Sequence, residues 1–281
     1  MSIPMKIIPF VEKLMETDNS YFSKCNIDEL SRNPNAIYYL ETHPEKISWY
    51  YLSSNPNAIH LLKANPSKIN WYMLTKNQNP KAMKLLESNP KMIVWESLSM
   101  NPSAIYILQQ HFNKIDWAWF SKNPAAVPIL ELYPEKIVWD FLSMNPSAIH
   151  LLKANPSKIN WFYLSENPAA IDLLEANPYL IEWVMLSKNP AAIHLLEANL
   201  DKINYVSLSM NPNAVHLFKN IPACPATKNI HYLFSNPSIF EYDYAEMKTN
   251  MDILREELIS KAIHPSRVIQ WIENDNEDML E

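Results

Sequence analysis

The chain is built around a 22-residue tandem repeat that is marked by a recurring aromatic residue. Seven tryptophans and one tyrosine follow each other at intervals of 22 residues, with one interval of 24 at a two-residue insertion near Asn77. These positions are Trp49, Trp71, Trp95, Trp117, Trp139, Trp161, Trp183 and Tyr205. Residues 55–71 recur at 145–161 with one change, Asn57 against Ser147. Units this similar must be structurally interchangeable, which is typical of solenoid proteins.

Each unit reads N-P-x-A-I-x-L-L-x-x-N-P-x-K-I-x-W-x-x-L-S-x, and both of its halves open with Asn-Pro. Asparagine is a favoured N-cap, and proline is tolerated in the first helical turn because its missing N–H would have no partner there. Proline also disfavours the α conformation in the residue before it. Each Asn-Pro is therefore expected to end one helix and begin the next, which gives two short helices per unit. The recurring aromatic residue is expected to form the structural core.

The fold class predicted from this pattern is all-α. It is an α-solenoid, or superhelix, of 22-residue two-helix repeats with helical caps at both ends. An N-terminal cap formed by a degenerate repeat is predicted at 1–32, eight and a half repeats at 33–220, and a C-terminal cap at 221–281. We expect a short covering helix over 1–16, and a longer amphipathic helix over 247–263 ahead of an acidic tail. Stacked in this way, the units should form an open, curved rod.

Composition excludes several classes of function. The chain has no glycine, so it contains no P-loop, dinucleotide-binding fingerprint or nucleophile elbow. Its formal net charge of −6 argues against a protein that grips nucleic acid through a basic face. Two distant cysteines indicate neither a disulfide framework nor a zinc module. No signal peptide or membrane-spanning run is recognised, which favours a soluble, intracellular protein in a reducing compartment.

A column of lysines lies three residues before the aromatic position. Its members are Lys46, Lys68, Lys114, Lys136, Lys158 and Lys202. A basic residue is unusual so early in a helix, where the helix dipole favours an acid. One interpretation is a binding ladder for an acidic partner. The other, which we favour, is that each lysine lays its stem over a neighbouring aromatic ring and reaches a carbonyl.

A second column, five residues after the first asparagine of the unit, is rich in histidine and forms a candidate exposed contact strip. Its members are Tyr38, His60, Lys84, Tyr106, His150, Asp172, His194 and His216. Adjacent units are too far apart for a tetrahedral metal site, so no metal is predicted. A serine ends nearly every unit, and a catalytic residue is needed only once, so this serine is interpreted as structural. We predict no enzyme activity, no catalytic residue and no cofactor.

The tandem NPxAIxLL and NPxKIxW units, and the closing segment His264-Pro265-Ser266-Arg267-Val268 with Trp271, resemble the short-helix repeat proteins of giant DNA viruses of the mimivirus and phycodnavirus type. The resemblance covers residues 30–272. It implies a viral origin, a helical solenoid, and a location in the host cytoplasm or the virion, and it carries no established activity. The pattern departs from the family at the second Asn-Pro, which is altered at His43, His111, Phe112, Tyr133 and Leu200. A more distant analogue is the leucine-rich variant repeat, in which one of two helices is 3₁₀, so the type of the second helix stays open.

The function predicted from these observations is a non-enzymatic scaffold that binds a viral or host protein along the solenoid surface. One alternative is a structural component of the virion or of its assembly. A second alternative is a polyanion binder that uses the lysine column. No membrane partner is expected, and nucleic acid is disfavoured by the net charge.

Overall fold

The computed structural model describes residues 3–9, 11, 28–218 and 231–262, and the remaining parts of both predicted caps lie outside these ranges. The prediction of an all-α repeat fold is confirmed. The regular structure consists of many short helices in a repeating order, with a single two-stranded sheet in the described part. We number the units from 1 to 10 by the first asparagine of each, from Asn33 to Asn236.

In units 1, 4, 5, 6 and 7 the first half is a short 3₁₀ turn that runs directly into an α-helix; in units 2, 3, 8 and 9 the α-helix has no 3₁₀ turn before it, and the 3₁₀ turn of unit 10 runs into a β-strand. The Asn-Pro sequence begins the turn, and the asparagine Oδ1 accepts a hydrogen bond from the backbone N–H two residues later, as predicted for an N-cap. The turns are Pro34–Ala36, Pro102–Ala104, Pro124–Ala126, Pro146–Ala148, Pro168–Ala170 and Pro237–Ile239. The α-helices are Ile37–Thr42, Ile59–Ala64, Pro80–Glu87, Ile105–Gln110, Val127–Leu132, Ile149–Ala154, Ile171–Ala176, Ile193–Glu197 and Val215–Phe218.

In units 1 to 8 the second half is divided into two helical pieces, where the sequence pattern predicted one helix. After a three-residue 3₁₀ turn, the isoleucine and the residue that follows it are extended, so an α-helix begins only at the aromatic residue. The turns are Pro44–Lys46, Pro66–Lys68, Pro90–Met92, Phe112–Lys114, Pro134–Lys136, Pro156–Lys158, Pro178–Leu180 and Leu200–Lys202. The helices are Trp49–Leu52, Trp71–Thr75, Trp95–Ser99, Trp117–Lys122, Trp139–Leu142, Trp161–Leu164, Trp183–Leu186 and Tyr205–Leu208. The second half thus contains both helix types.

The second asparagine of the unit does not act as the predicted N-cap. At Asn65 and Asn155 the backbone has φ −132° and ψ near 62°, and the side chain makes no capping bond to the following turn. Its Nδ2 instead donates to a carbonyl four residues earlier, Leu61 in one unit and Leu151 in the other, at 3.0 Å. This asparagine therefore closes the preceding helix by satisfying one of its terminal carbonyls.

A ladder of buried asparagines links every unit to the one before it. In each unit Nδ2 of the first asparagine donates to the backbone carbonyl of the first asparagine of the preceding unit and to the carbonyl of the residue two positions before that asparagine; Asn145, for example, bonds Asn123 and Ser121 at 2.9 Å each. Asn145 is fully buried, and its Oδ1 accepts from the Ser147 N–H, so both amide hydrogens and the oxygen are used. The ladder comprises Asn33, Asn55, Asn77, Asn101, Asn123, Asn145, Asn167, Asn189, Asn211 and Asn236.

A buried serine two residues before the ladder position makes a second link. The Ser143 hydroxyl donates to the Trp139 carbonyl at 2.9 Å and accepts from the Asn160 backbone N–H of the next unit at 3.0 Å. The structural interpretation of this serine column is confirmed for these contacts. A buried hydroxyl whose donor and acceptor are both engaged fixes the spacing of adjacent units.

The two ends of the array meet, so the units form a closed ring. Asn33, in the first unit, donates to the Asn236 carbonyl at 2.7 Å and to the Phe234 carbonyl at 3.1 Å. Asn236 in turn donates to Asn211, so the ladder returns to its starting point after ten asparagines. The expectation of an open rod is wrong, because the curvature accumulated over ten units brings the last one into contact with the first.

A small sheet completes this seam between the two ends. Strand β1 (Met5–Ile7) pairs antiparallel with strand β2 (Phe240–Tyr242), where a covering helix was predicted for the N-terminal residues. Prolines at positions 4 and 9 flank this stretch and discourage a helix through it. A helix over Tyr244–Ala262 follows, close to the predicted range, and its Ile253 and Leu254 side chains are half-exposed.

The core is a continuous cluster of mainly small and aliphatic side chains contributed by every unit. Alanine and leucine dominate it; Ala148, Leu152 and Leu164 of unit 6 are fully buried. The recurring tryptophans, predicted as the structural core, are only partly buried and pack against this cluster from one side. No described residue has a positive φ, which explains how a chain without glycine forms so many turns.

Candidate binding surfaces

The lysine column lies mainly against the tryptophans of neighbouring units. The ammonium groups of Lys68, Lys158 and Lys202 lie 4.4, 4.5 and 4.5 Å from the ring centroids of Trp49, Trp139 and Trp183, each in the preceding unit. Lys46 lies over Tyr39 and donates to its hydroxyl. Lys114 and Lys136 are exposed and have no such ring contact among the described residues. The favoured interpretation, a lysine laid over an aromatic ring, is confirmed for four of the six positions.

Aromatic side chains cover two tryptophans in place of lysine. His111 lies 5.0 Å from the Trp95 ring, and Tyr133 lies 6.2 Å from the Trp117 ring. His111 and Tyr133 are two of the positions where the second asparagine of the unit is replaced. Phe112 also contacts both Trp117 and Tyr133, at 5.3 and 5.1 Å. These departures from the repeat pattern therefore preserve the cover over the tryptophan by other means.

The candidate contact strip lies on the first-half helices. Seven of its eight members are exposed, and Tyr38 is half-buried, because its hydroxyl bonds the Glu246 carboxylate of the C-terminal helix. Each of the four histidines is paired through Nε2 with a glutamate of the preceding unit. The pairs are His60–Glu41 at 2.6 Å, His150–Glu131 at 2.8 Å, His194–Glu175 at 2.8 Å and His216–Glu197 at 3.2 Å. Such exposed pairs add little stability.

Three tyrosines in the described part of the chain have shifted pKa values. Burial raises the pKa of the Tyr51 hydroxyl. Partial burial, together with a hydrogen bond to the Glu87 carboxylate, raises the pKa of the Tyr106 hydroxyl. A hydrogen bond from Lys76, together with the positive charge of that lysine, lowers the pKa of the Tyr72 hydroxyl. Within the described ranges, no group of three or more histidine, cysteine or acidic side chains is arranged to hold a metal ion.

An exposed row of aromatic side chains, which the sequence analysis did not identify as a surface, follows the recurring tryptophan. Phe162, Tyr50, Tyr72 and Trp119 are 46, 44, 43 and 37% exposed. Trp119 contacts Phe141 of the next unit at 5.2 Å, and Phe141 stacks on Tyr163 of the unit after that at 6.2 Å. We call this set the aromatic strip; it comprises Tyr50, Tyr51, Tyr72, Trp119, Phe141, Phe162 and Tyr163. The sequence signal that could have identified this surface is the frequent aromatic residue at the two positions after the recurring tryptophan.

A cleft of about 690 Å³ lies beside the seam, against the first halves of units 1 to 3. One wall is apolar and is contributed by Ile3, Met5 and Tyr242 at the seam sheet. The opposite wall comes from equivalent positions of successive units, with Tyr38 and His60 of the contact strip among its residues. The seam thus gives units 1 to 3 a concave feature that their sequence pattern did not predict.

None of the helices in the described ranges combines the length and the apolar character that crossing a bilayer demands. The resemblance to giant-virus repeat proteins remains a prediction. The chain matches no family model, no curated protein and no solved structure.

Proposed function

We infer that this protein is a non-enzymatic binding ring whose aromatic strip engages another protein. The carrying observation is that large aromatic side chains are exposed at one or the other of the two positions that follow the recurring tryptophan in units 1, 2, 4 and 6, and that three such side chains contact one another across units 4 to 6. Tryptophan and tyrosine are enriched at the energetic centres of protein interfaces, and rows of exposed apolar side chains are uncommon on surfaces without a partner.

The rigidity of the ring supports this role. The buried asparagines and serines that link adjacent units recur along the array. The residues of the aromatic strip differ from one unit to the next. A surface held in fixed geometry loses little conformational entropy when a partner binds. Four of the six lysines of the column already contact aromatic side chains of the protein itself. This makes the lysine column a less favoured surface for a polyanion.

The test compares two surfaces of the ring in the full chain. A double variant, Trp119→Ala with Phe162→Ala, removes the most exposed part of the aromatic strip in units 4 and 6. Tyr106→Ala, which removes an exposed aromatic from the first-half helices, is the control. Partners are identified by affinity purification and mass spectrometry, and their affinities are then measured with purified proteins. The resemblance is the reason to look first among viral and host proteins in infected cells.

We expect the double variant to bind its partner at least about tenfold more weakly and the control to bind normally. Equal binding by all three proteins would contradict a role for the aromatic strip. Recovery at high copy number in virus particles, with no affinity for any purified protein, would favour the structural alternative.

A further inference from the structure

The cleft beside the seam offers three kinds of contact in one concavity: free cations, free amide oxygens and an apolar wall. We propose that it binds an extended, acidic peptide segment of another protein that carries at least one apolar side chain. The inference deepens the proposed function by adding a second site to the same binding protein, since the cleft and the aromatic strip share no residue.

The lysine side chains of the cleft are the first kind of contact. The ammonium groups of Lys63 and Lys81 line it and make no hydrogen bond or ion pair with any side chain in the described ranges. The carboxylate that lines the same cleft, Glu41, is already held by His60 at 2.6 Å. The cleft therefore carries uncompensated positive charge on a chain whose net charge is −6, and this charge complements an acidic ligand.

The amide groups of the cleft point to a peptide. Asn35 and Asn57 lie at equivalent positions of adjacent units, and each uses Nδ2 to bond a proline carbonyl of the preceding unit, at 2.9 and 2.8 Å. Their Oδ1 atoms accept no hydrogen bond from the described part of the chain. These two free amide oxygens, in units 1 and 2, offer acceptors to the backbone N–H groups of an extended segment, whereas Oδ1 of the equivalent Asn79 in unit 3 already accepts from the Lys81 N–H.

The apolar wall supplies the third contact. Ile3 is 57% exposed and Tyr242 is 48% exposed, and together with Met5 they line the same cleft as the lysines and the free amide oxygens. The volume of about 690 Å³ lies within the range of about 300 to 1,000 Å³ that is usual for ligand sites. A nucleic acid strand is a poorer fit, because only two lysines face the cleft and an apolar wall offers nothing to phosphates.

The experiment selects peptides on the full-length protein from a phage-displayed library of random eight-residue sequences. The repeat provides a matched pair of variants, Lys63→Glu and Lys153→Glu. These lysines occupy the same position in the two nearly identical segments 55–71 and 145–161, both are exposed, and only Lys63 lines the cleft. Affinities of the selected peptides are then measured for wild type, both lysine variants and the Trp119→Ala, Phe162→Ala variant.

We expect acidic peptides with an apolar residue to be enriched, to bind Lys63→Glu roughly tenfold or more weakly, and to bind Lys153→Glu as they bind wild type. Enrichment of neutral or basic peptides, equal loss in both lysine variants, or tighter binding of single-stranded RNA than of the peptides at the same site would overturn the proposal. If the Trp119→Ala, Phe162→Ala variant binds the peptides normally but no longer binds the protein partner of the aromatic strip, the two sites act separately.

The acidic residues at the C-terminal end of the chain have the same negative charge as the proposed ligand, so a control must test whether they occupy the cleft. This full-length variant carries Glu273→Gln, Asp275→Asn, Glu277→Gln, Asp278→Asn and Glu281→Gln. Peptide binding that is equal with and without these changes supports a ligand from another protein. Binding that is observed only when the tail is neutral would mean that the chain fills its own cleft, and it would overturn a partner-derived ligand.

Discussion

Units 2 and 6 have almost the same sequence and lie in different surroundings. Both carry a helix of six residues, Ile59–Ala64 and Ile149–Ala154, and both place a histidine against a glutamate of the preceding unit, at 2.6 and 2.8 Å. In both, a lysine lies 4.4 to 4.5 Å from a tryptophan ring. Only unit 2 lines the cleft, because only it stands near the seam. The unit sequence thus determines the local contacts, and position in the ring determines whether a binding site results.

The largest expected effect on stability comes from substitutions in the asparagine ladder. The loss of stability should be the same in units 2 and 6. Asn55→Ala and Asn145→Ala each remove two buried hydrogen bonds to backbone carbonyls and the cap of the following turn. We expect each to lower the free energy of unfolding by about 3 kcal/mol, measured by urea denaturation. A loss below about 1 kcal/mol, or a large difference between the two variants, would contradict the equivalence of the units.

A ladder substitution at the seam should act differently from one inside the array. Asn33→Ala removes the bonds to Phe234 and Asn236, and we expect a cost of about 2 to 3 kcal/mol. Hydrogen exchange should accelerate near the seam, over 28–42 and 231–242, and remain slow in units 5 to 7. If hydrogen exchange accelerated equally in all units, the seam would not open independently of the rest of the ring.

The tryptophans should contribute less than a fully buried aromatic side chain. Trp71→Ala and Trp161→Ala remove the recurring tryptophan of units 2 and 6, which packs against the core from one side. We expect each to cost about 2 kcal/mol, below the usual range of about 3 to 5 kcal/mol for a buried tryptophan. Thermal and urea denaturation measure this, and unchanged stability would rule out the packing role.

The cation–π contacts should contribute about 0.5 kcal/mol each. Lys68→Ala and Lys158→Ala remove the cover over Trp49 and Trp139. Lys153→Ala is the control, because this lysine is exposed and contacts no ring among the described residues. If all three variants unfold alike, the lysine column does not stabilise the ring.

The smallest expected effect on stability comes from exchanging the one residue that distinguishes the two segments. Asn57→Ser and Ser147→Asn should each change the free energy of unfolding by less than about 0.5 kcal/mol, because both positions are near the surface. Asn57→Ser should weaken binding of the selected peptides, since it removes a free amide oxygen from the cleft. Unchanged peptide affinity would exclude this asparagine from the site.

Much of the local structure could be predicted because it depends on neighbouring residues in the sequence. The Asn-Pro pairs indicated where turns begin, and the lysine column indicated cover over aromatic rings. The burial of the first asparagine could not be read from its role as a cap. A signal was nevertheless present: the first asparagine is retained throughout the ladder, whereas the second is replaced at His43, His111 and Tyr133.

The binding surfaces were less predictable. The sequence pattern did not identify the aromatic strip as a surface, yet Tyr50 and Phe162 are nearly half-exposed. Their exposure depends on where the second helix begins, and the extended residues before the recurring tryptophan delay that start and so rotate the following residues outward. The cleft depends on the contact between β1 and β2, whose residues lie more than 230 positions apart in the chain.

The sequence by itself determined the repeating unit, since a turn, its cap and the following helix involve residues within a few positions of one another. Closure of the ring was decided only by the tertiary structure. It depends on the small rotation between successive units summed over ten of them, and a few degrees per unit separate an open superhelix from a ring in which Asn33 reaches Asn236.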